Sequence, residues 1–402
     1  MSVEKKMLDK YDIVKEEPDF YDDIVNETIE IKSDNSNIDT AAQVRLHHRD
    51  GNSLIDLSDS YLQIDLEHAG ADNADKQKLR LNHQGGAMSM WSRAVLRINN
   101  VIVETIDYSN FVAMVRNQLV YSKDYLATEG SNMGIKSLTA VRAEAEADAI
   151  ARQSYFVPLH AIFGFASINK IVSGEITLEL TRGSKLQYAI RQTAGTAITA
   201  TGDILVKKCS VWLNRVRPHA VVDNTLKSLM SSNVSSSFVF PSYSAYYTAN
   251  LGVSSQRILT SSERILHAFV VCLDPTADYT GYLQSSNDLQ QVSMRLNGTA
   301  SPTIGYTQLG SVGKSRSYGS LFRLMSGGDY GMGIGLSRKE YGDLSVIPFD
   351  FRGTPQNLSG SPSVLELEVS EIANDRRFVV IVQTEKQVEI SYSGGNAIVR
   401  VH

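Results

Sequence analysis

Apolar residues recur at every second position along most of this chain, and that period constrains its fold more than any other feature. Tyr61-Leu-Gln-Ile-Asp-Leu-Glu67 sets Leu62, Ile64 and Leu66 on one face and Gln63, Asp65 and Glu67 on the other. Glu175-Ile-Thr-Leu-Glu-Leu-Thr181 repeats the pattern with Ile176, Leu178 and Leu180, and Leu365, Leu367 and Val369 alternate with Glu366, Glu368 and Ser370. Side chains on a strand point alternately to its two faces, so these segments read as half-buried antiparallel strands. Further strands are expected at Gln43–Arg49, Ala94–Ile98, Val101–Glu104, Ile204–Val211, Phe238–Tyr243, Ile265–Leu273, Val292–Leu296, Phe378–Gln383, Val388–Tyr392 and Ala397–Val401. Asn99-Asn100 and Ser393-Gly-Gly-Asn396 supply hairpin turns.

Helical spacing is confined to Phe111–Val120 and the alanine-rich Thr139–Arg152, both in one half of the chain. Two isolated helices between strands disfavour a parallel α/β fold. Glycine, 28 of 402 residues, and proline, 9 of 402, exclude a collagen-like or low-complexity chain. The length predicts two or three domains. Strand patterning runs from Gln43 to Pro218 and again from Ser235 to His402, with a short helix-like linker at Val221–Met230. The expected division is an acidic arm at 1–40, a β-domain at 41–218, a linker at 219–234 and a second β-domain at 235–402, although no residue-by-residue repeat relates the two halves. The arm holds 12 acids and 5 bases, a charge of −7; since the whole chain carries −5, the body carries +2. Two readings of the arm stand: a solvated tail, or a segment whose Tyr11, Ile13, Val14, Phe20, Tyr21, Ile24 and Val25 order against a neighbouring subunit.

The residues that carry chemistry are sparse. The histidines, at 47, 48, 68, 83, 160, 219, 267 and 402, fall into no metal-ligand spacing, and His47 and His48 straddle the two faces of one strand. Neither a GxSxG nucleophile turn nor a GxxxxGK[ST] phosphate loop occurs, and the glycine cluster Gly327–Gly335 reads as a surface loop. Cys209 and Cys272 read as buried reduced thiols, with a disulfide between them left open. The triplets at Asn26, Asn233, Asn297 and Asn357 read as chance matches to the glycosylation pattern. Lys207-Lys208, Arg215 with Arg217, and Arg376-Arg377 read as surface decoration, with an internal face turned to genome or membrane as the lesser alternative. The net charge of −5 argues against a nucleic-acid coat. The charged N-terminus lacks a secretory apolar stretch, and no window approaches the ~18 apolar residues of a membrane span, so a soluble protein of a reducing compartment is expected. No catalytic, cofactor-binding or metal-binding residue is assigned, and no cofactor is expected.

Asn52-Ser-Leu-Ile-Asp-Leu-Ser-Asp-Ser-Tyr-Leu-Gln-Ile-Asp65, Met90-Trp-Ser-Arg-Ala-Val-Leu-Arg-Ile-Asn-Asn-Val-Ile-Val-Glu104 and Tyr108–Tyr125 together resemble the first barrel of double jelly-roll major capsid proteins of DNA viruses, the adenovirus-like, polinton-like and adintovirus-type group. His160-Ala-Ile-Phe-Gly-Phe165 and Gly174–Arg182 resemble its next pair of strands, and Lys208–Pro218 the strand that closes it. Val346–Pro355, Val364–Val369, Phe378–Gln383 and Val388–Val401 resemble the late strands of the second barrel. Order and spacing carry the likeness, which covers most of 41–402; Thr139–Arg152 and the acidic arm depart from it. The resemblance implies a mainly β chain of two consecutive eight-stranded antiparallel jelly rolls with a few short helices in the loops. It further implies a homotrimer forming a pseudo-hexagonal capsomer, contacts with neighbouring capsomers and a penton or minor capsid protein, and a place in an icosahedral virion shell with no catalysis and no specific nucleic-acid binding. Internal membrane contact stays open. Competing readings are a carbohydrate-binding or attachment β-protein using Tyr243, Tyr246, Tyr247, Tyr279 and Tyr282, and a β-sandwich glycoside hydrolase, which needs two carboxylates across a cleft.

Overall fold

The computed structural model describes residues 25–35, 37–51, 53–69, 79–82, 84–135, 152–168, 170–183, 189–191, 203–217, 235–248, 255–261, 263–273, 289–307, 310–326, 341, 346–354, 357, 362–371, 377–393 and 396–401. Eight strands build the first half: β1 (Val25–Lys32), β2 (Gln43–His48), β3 (Leu54–Ala69), β5 (Trp91–Ile98), β6 (Val101–Asp107), β7 (Arg152–Pro158), β9 (Ile176–Arg182) and β11 (Asp203–Arg217). They form two antiparallel sheets, β1-β11-β3-β7 and β2-β9-β5-β6. A small β4 (Leu79–Leu81) pairs with β10 (Ala189–Arg191), and β8 (Ile171–Ser173) adds to β3. In the second half, β12 (Ser235–Thr248), β19 (Arg377–Ser393), β14 (Arg264–Leu273) and β17 (Val346–Asp350) form one sheet in that order, extended by β20 (Asn396–Val401) beside β19. The facing sheet runs β13 (Ser255–Ser261), β18 (Ser363–Glu371), β15 (Leu289–Leu296), β16 (Thr299–Tyr306).

Numbered in chain order, the eight strands of each half are laid out first, eighth, third, sixth against second, seventh, fourth, fifth. The duplication is therefore one of topology. Both halves are jelly rolls, two packed sheets whose inner faces alternate apolar residues with outward polar ones. In β2, Val44 and Leu46 are buried between exposed Gln43 and Arg45, and His48 is buried while His47 on the other face reaches Glu175 at 3.6 Å. The β5–β6 hairpin turns through Asn99 and Asn100 at φ 50° and 64°, left-handed conformations that asparagine tolerates. Asn297 and Gly298, at φ 51° and 81°, make the equivalent turn between β15 and β16. Asn297 is thus a turn residue whose Oδ1 accepts from Val364 N–H at 2.8 Å, and Asn357 is buried, its Oδ1 accepting from Ile265 N–H at 2.9 Å.

Four expectations are corrected. Residues 25–32, placed in the arm, form β1: Ile29 and Ile31 pack on the core while Glu27 and Glu30 face the bases of β11. His160–Phe165, read as part of a strand pair, instead runs from α4 at Leu159–Ile162 through a turn at Phe163 and Gly164 into a 3-10 turn at Phe165–Ile168. Phe378–Gln383 and Val388–Tyr392 are one continuous strand, β19. Helices occur in both halves: α1 (Ser109–Val120) follows β6, with α2 (Lys123–Ala127) and α3 (Glu129–Asn132) after it, and α5 (Gly310–Ser326) follows β16. Although α5 is rich in glycine and serine, it buries Lys314, Ser317, Leu321 and Met325 at helical spacing. The alanine-rich stretch 139–151, the linker 221–230 and the glycine cluster 327–335 lie outside the described residues.

Candidate functional site

The sheet β12-β19-β14-β17 is buried on both faces. On β14, Ala268 and Val270 join the core of the second sandwich, while Phe269 and Val271 join the cluster that runs into the first; on β19, Val380 and Val382 go one way, Val379 and Ile381 the other. The two halves thus share a continuous apolar joint. Helix α1 supplies one side of it: Phe111 stacks on Tyr247 with centroids 5.6 Å apart, and the Arg116 guanidinium lies 5.1 Å from the Tyr243 ring centre. Arg116 also donates to the carbonyls of Ala161 at 2.6 Å and His160 at 2.9 Å, which ties α1 to α4. The turn after α4 presents Phe165, edge-on to Phe240 at 5.3 Å and to Phe238 at 6.2 Å.

At the centre of this joint sits a carboxylate. Glu104 of β6 is fully buried; its Oε1 accepts from Gly164 N–H at 3.1 Å and from Ser242 Oγ–H at 2.7 Å, and its Oε2 from Phe165 N–H at 2.9 Å. Gly164 passes so close to β12 that a Cβ there would lie 1.7 Å from the Pro241 carbonyl oxygen. Burial raises the Glu104 pKa above its usual 4.5, opposed by hydrogen bonds from Phe165 N–H, Ser242 and Gly164 N–H and by the charge of Lys386. The protonated side chain consequently stabilises the joint fully below pH 4.5, and that increment is lost as pH rises through the folded value. Glu104→Gln, which cannot ionise, is expected to flatten this part of the stability profile, as checked by unfolding temperatures from pH 4 upward; a profile unchanged from wild type refutes the assignment.

Beside the joint opens a cleft of about 590 Å³ between α1, β12, β14, β19 and α5. Its apolar walls include Leu119, Phe240, Phe269 and Met325, and Arg264, His267, Arg352, Gln383 and Glu385 also line it. His267 Nδ1 lies 2.6 Å from Gln383 Oε1, and its Nε2 lies 3.6 Å from Asp350. Burial pushes the Asp350 pKa up, but hydrogen bonds from Arg352 and the charges of His267 and Arg352 bring it below the ordinary value. Among the described residues that line this cleft, Glu385 is the one carboxylate, where a glycoside hydrolase uses a pair. Among the described residues, no group of His, Cys, Asp and Glu is arranged to hold a metal ion.

The residues marked out in the sequence are mostly engaged elsewhere. Tyr243 and Tyr247 belong to the joint, and Tyr246 packs on the second core, so these three are not a sugar-stacking face; Tyr279 and Tyr282 lie outside the described residues. The bases of β11 hold β1 and the chain after it: Lys208 meets Glu30 at 2.6 Å, Arg217 meets Glu27 at 2.8 Å, and Lys207 meets Asp39 at 2.6 Å. Cys209 is a buried free thiol whose pKa burial pushes up to about 12, with Asp65 adding to the shift. Sequence reasoning missed Glu104 and Gly164, because the groups they meet on β12 lie far away along the chain. On the outer face of the first sandwich, Tyr61 stacks on Trp212 at 6.0 Å and meets Phe156 edge-on at 5.8 Å.

No protein-family model matches the chain, and no curated protein matches it in sequence. Solved structures match its fold across nearly the whole length. PBCV-1 VP54, in a structure fitted into a cryo-EM reconstruction of the virophage Sputnik, superposes with a TM-score of 0.58 at 12% identity, covering 96% of this chain and 98% of that one. The Faustovirus major capsid protein gives 0.58 at 9% identity, covering 93% and 92%, and the mavirus major capsid protein 0.50 at 9% identity, covering 93% and 90%. The chain has the double jelly-roll fold of these proteins.

Proposed function

We propose that this chain is a structural major capsid protein that self-assembles as trimeric, pseudo-hexagonal capsomers tiling an icosahedral virus shell. One observation carries the reading: almost every described strand goes into two sandwiches of the same strand order, locked together through a shared core, in a chain matched end to end by viral capsid proteins. Such a block does its work by burying surface against copies of itself, without catalysis. Residues 1–24 hold eight acids and four bases, a charge of −4, so of the total of −5 only −1 falls on residues 25–402, and this suits close tiling because a large like charge on every copy would repel its neighbours. Residues preceding β1 would lie on the inner side of the shell, and a penton or minor capsid protein would fill the vertices.

Sedimentation and electron microscopy of the purified full-length chain test this. The expected result is a species of three chain masses that appears as hexagonal blocks or closed shells. A protein that stays monomeric at high concentration refutes it.

A further inference from the structure

The cleft between α1, α5 and the sheet β12-β19-β14-β17 is graded from apolar to polar by the register of its floor. Three pairs across β14 and β19 line it in succession: Phe269 opposite Ile381, His267 opposite Gln383, and Arg264 opposite Glu385. The first pair is buried, whereas the side chains of Arg264 and Glu385 are 35% and 32% exposed, so the polar end is the mouth. Leu119 of α1 and Met325 of α5 continue the apolar wall. At the mouth Arg264 is loosely held. Its Nη2 donates to the Arg352 carbonyl at 3.3 Å, and Glu385 stands 3.6 Å from its Nη1, too far for a hydrogen bond. A guanidinium carries five N–H groups, and the others of Arg264 meet no acceptor among the described residues.

We propose that this cleft binds a single-chain amphiphile with a carboxylate head, the class of a long-chain fatty acid, its tail along Phe269, Ile381, Leu119 and Met325 and its head on Arg264. A volume of about 590 Å³ with apolar walls and a few polar groups gathered at one end is what such a ligand fills. The head accepts charge-assisted hydrogen bonds from the guanidinium, and Glu385 turns to the solvent it already reaches. One negative charge suits this mouth and several do not. Arg352 already chelates Asp350, at 3.1 and 2.8 Å, and Glu385 stands beside Arg264, so a polyanion such as residues 16–23 of this chain, five acids and no base, would meet two carboxylates. Because α1 belongs to the first sandwich and β14, β19 and α5 to the second, the bound ligand bridges the two halves.

Fluorescence titration of the full-length chain, stripped of lipid, with cis-parinarate tests this, using palmitate and hexadecanol as competitors. The expected result is one site per chain, from which palmitate displaces the probe and hexadecanol, with the same tail and no charge, does so at least about tenfold less well. Palmitate also raises the unfolding temperature, since it binds the folded chain across the joint. Arg264→Gln is expected to weaken palmitate about ten- to a hundredfold and to leave hexadecanol unchanged. Glu385→Gln removes the competing charge and is expected to strengthen palmitate binding. Many sites per chain, a probe that palmitate does not displace, or equal competition by palmitate and hexadecanol on the wild type overturns the site, whatever the variants do. A synthetic peptide of residues 1–24 that displaces the probe better than palmitate overturns it too, and gives the cleft to the arm.

Discussion

Gly164→Ala is expected to open the joint between the sandwiches and to lower stability by about 3 to 5 kcal/mol. A methyl group at 164 would lie 1.7 Å from the Pro241 carbonyl oxygen and 2.8 Å from its carbon, so either the turn carrying Phe165 or strand β12 must retreat. Retreat in either direction separates groups that converge on Glu104, because Gly164 N–H and Phe165 N–H belong to the turn and Ser242 adjoins Pro241 on β12. The overpacking cost is thus joined by that of a buried carboxylate losing a donor. Loss of the joint also removes what couples the two halves, so one cooperative transition is expected to split into two. Calorimetry of the variant measures both effects. Gly319→Ala is the control: its Cβ would meet nothing within 4 Å, and in the interior of α5 alanine adds up to about 1 kcal/mol through helix propensity. A Gly164→Ala protein that melts with the wild type would mean that β12 does not press on the turn.

The strands were legible wherever one face meets water. Leu62, Ile64 and Leu66 alternate with polar neighbours because the far side of β3 is not packed against another layer, and β9 and β18 follow the same rule. Phe378-Val-Val-Ile-Val382 and Ala268-Phe-Val-Val271 are unbroken apolar runs instead, the mark of strands buried on both faces. A run of this kind announces a strand but does not say what lies on its second face, so the joint was invisible although its residues were in plain sight. Glu104 suffered the same ambiguity. In Val-Ile-Val-Glu104 it looks like the outward member of an alternating strand, which it is; the outside at that point is the other half of the protein, through Ser242, 138 residues further on. Helix α5 was hidden for another reason, since among its described side chains two of the four buried ones are Lys314 and Ser317 and carry no apolar signal. For β1 the alternation Ile29-Glu-Ile-Lys32 was present, but the net charge of the first forty residues outweighed it.

Because β1 belongs to the first sandwich, truncation of the N-terminal forty residues reaches into the fold. Removing residues 1–40 is expected to unfold or aggregate the first sandwich, and comparison with a chain lacking only 1–24 isolates the part that residues 25–40 contribute. Strand β1 pairs with β11 over all eight of its residues, from Val25 opposite Arg217 to Lys32 opposite Ser210, and brings Ile29 and Ile31 against the core. Downstream, Val206 N–H donates to the Asp39 carbonyl at 3.3 Å and Asp34 N–H to the Arg45 carbonyl at 3.0 Å, so residues 33–40 tie the strand to β11 and β2. The ion pairs of Glu27, Glu30 and Asp39 are partly exposed and contribute about 0 to 1 kcal/mol each, so they set register more than they supply stability. The larger loss is the ladder, at about 1 kcal/mol net per hydrogen bond, together with two isoleucines of about 1 to 2 kcal/mol each for partial burial. These sum to more than about 5 kcal/mol, comparable with the whole stability of an ordinary domain. Deletion would also leave β11 as a fifteen-residue edge with unpaired backbone groups, a template for pairing between chains. Circular dichroism melts and light scattering of the two truncations separate the outcomes, and a 41–402 fragment that melts with the full chain would show that β11 does not need its neighbour.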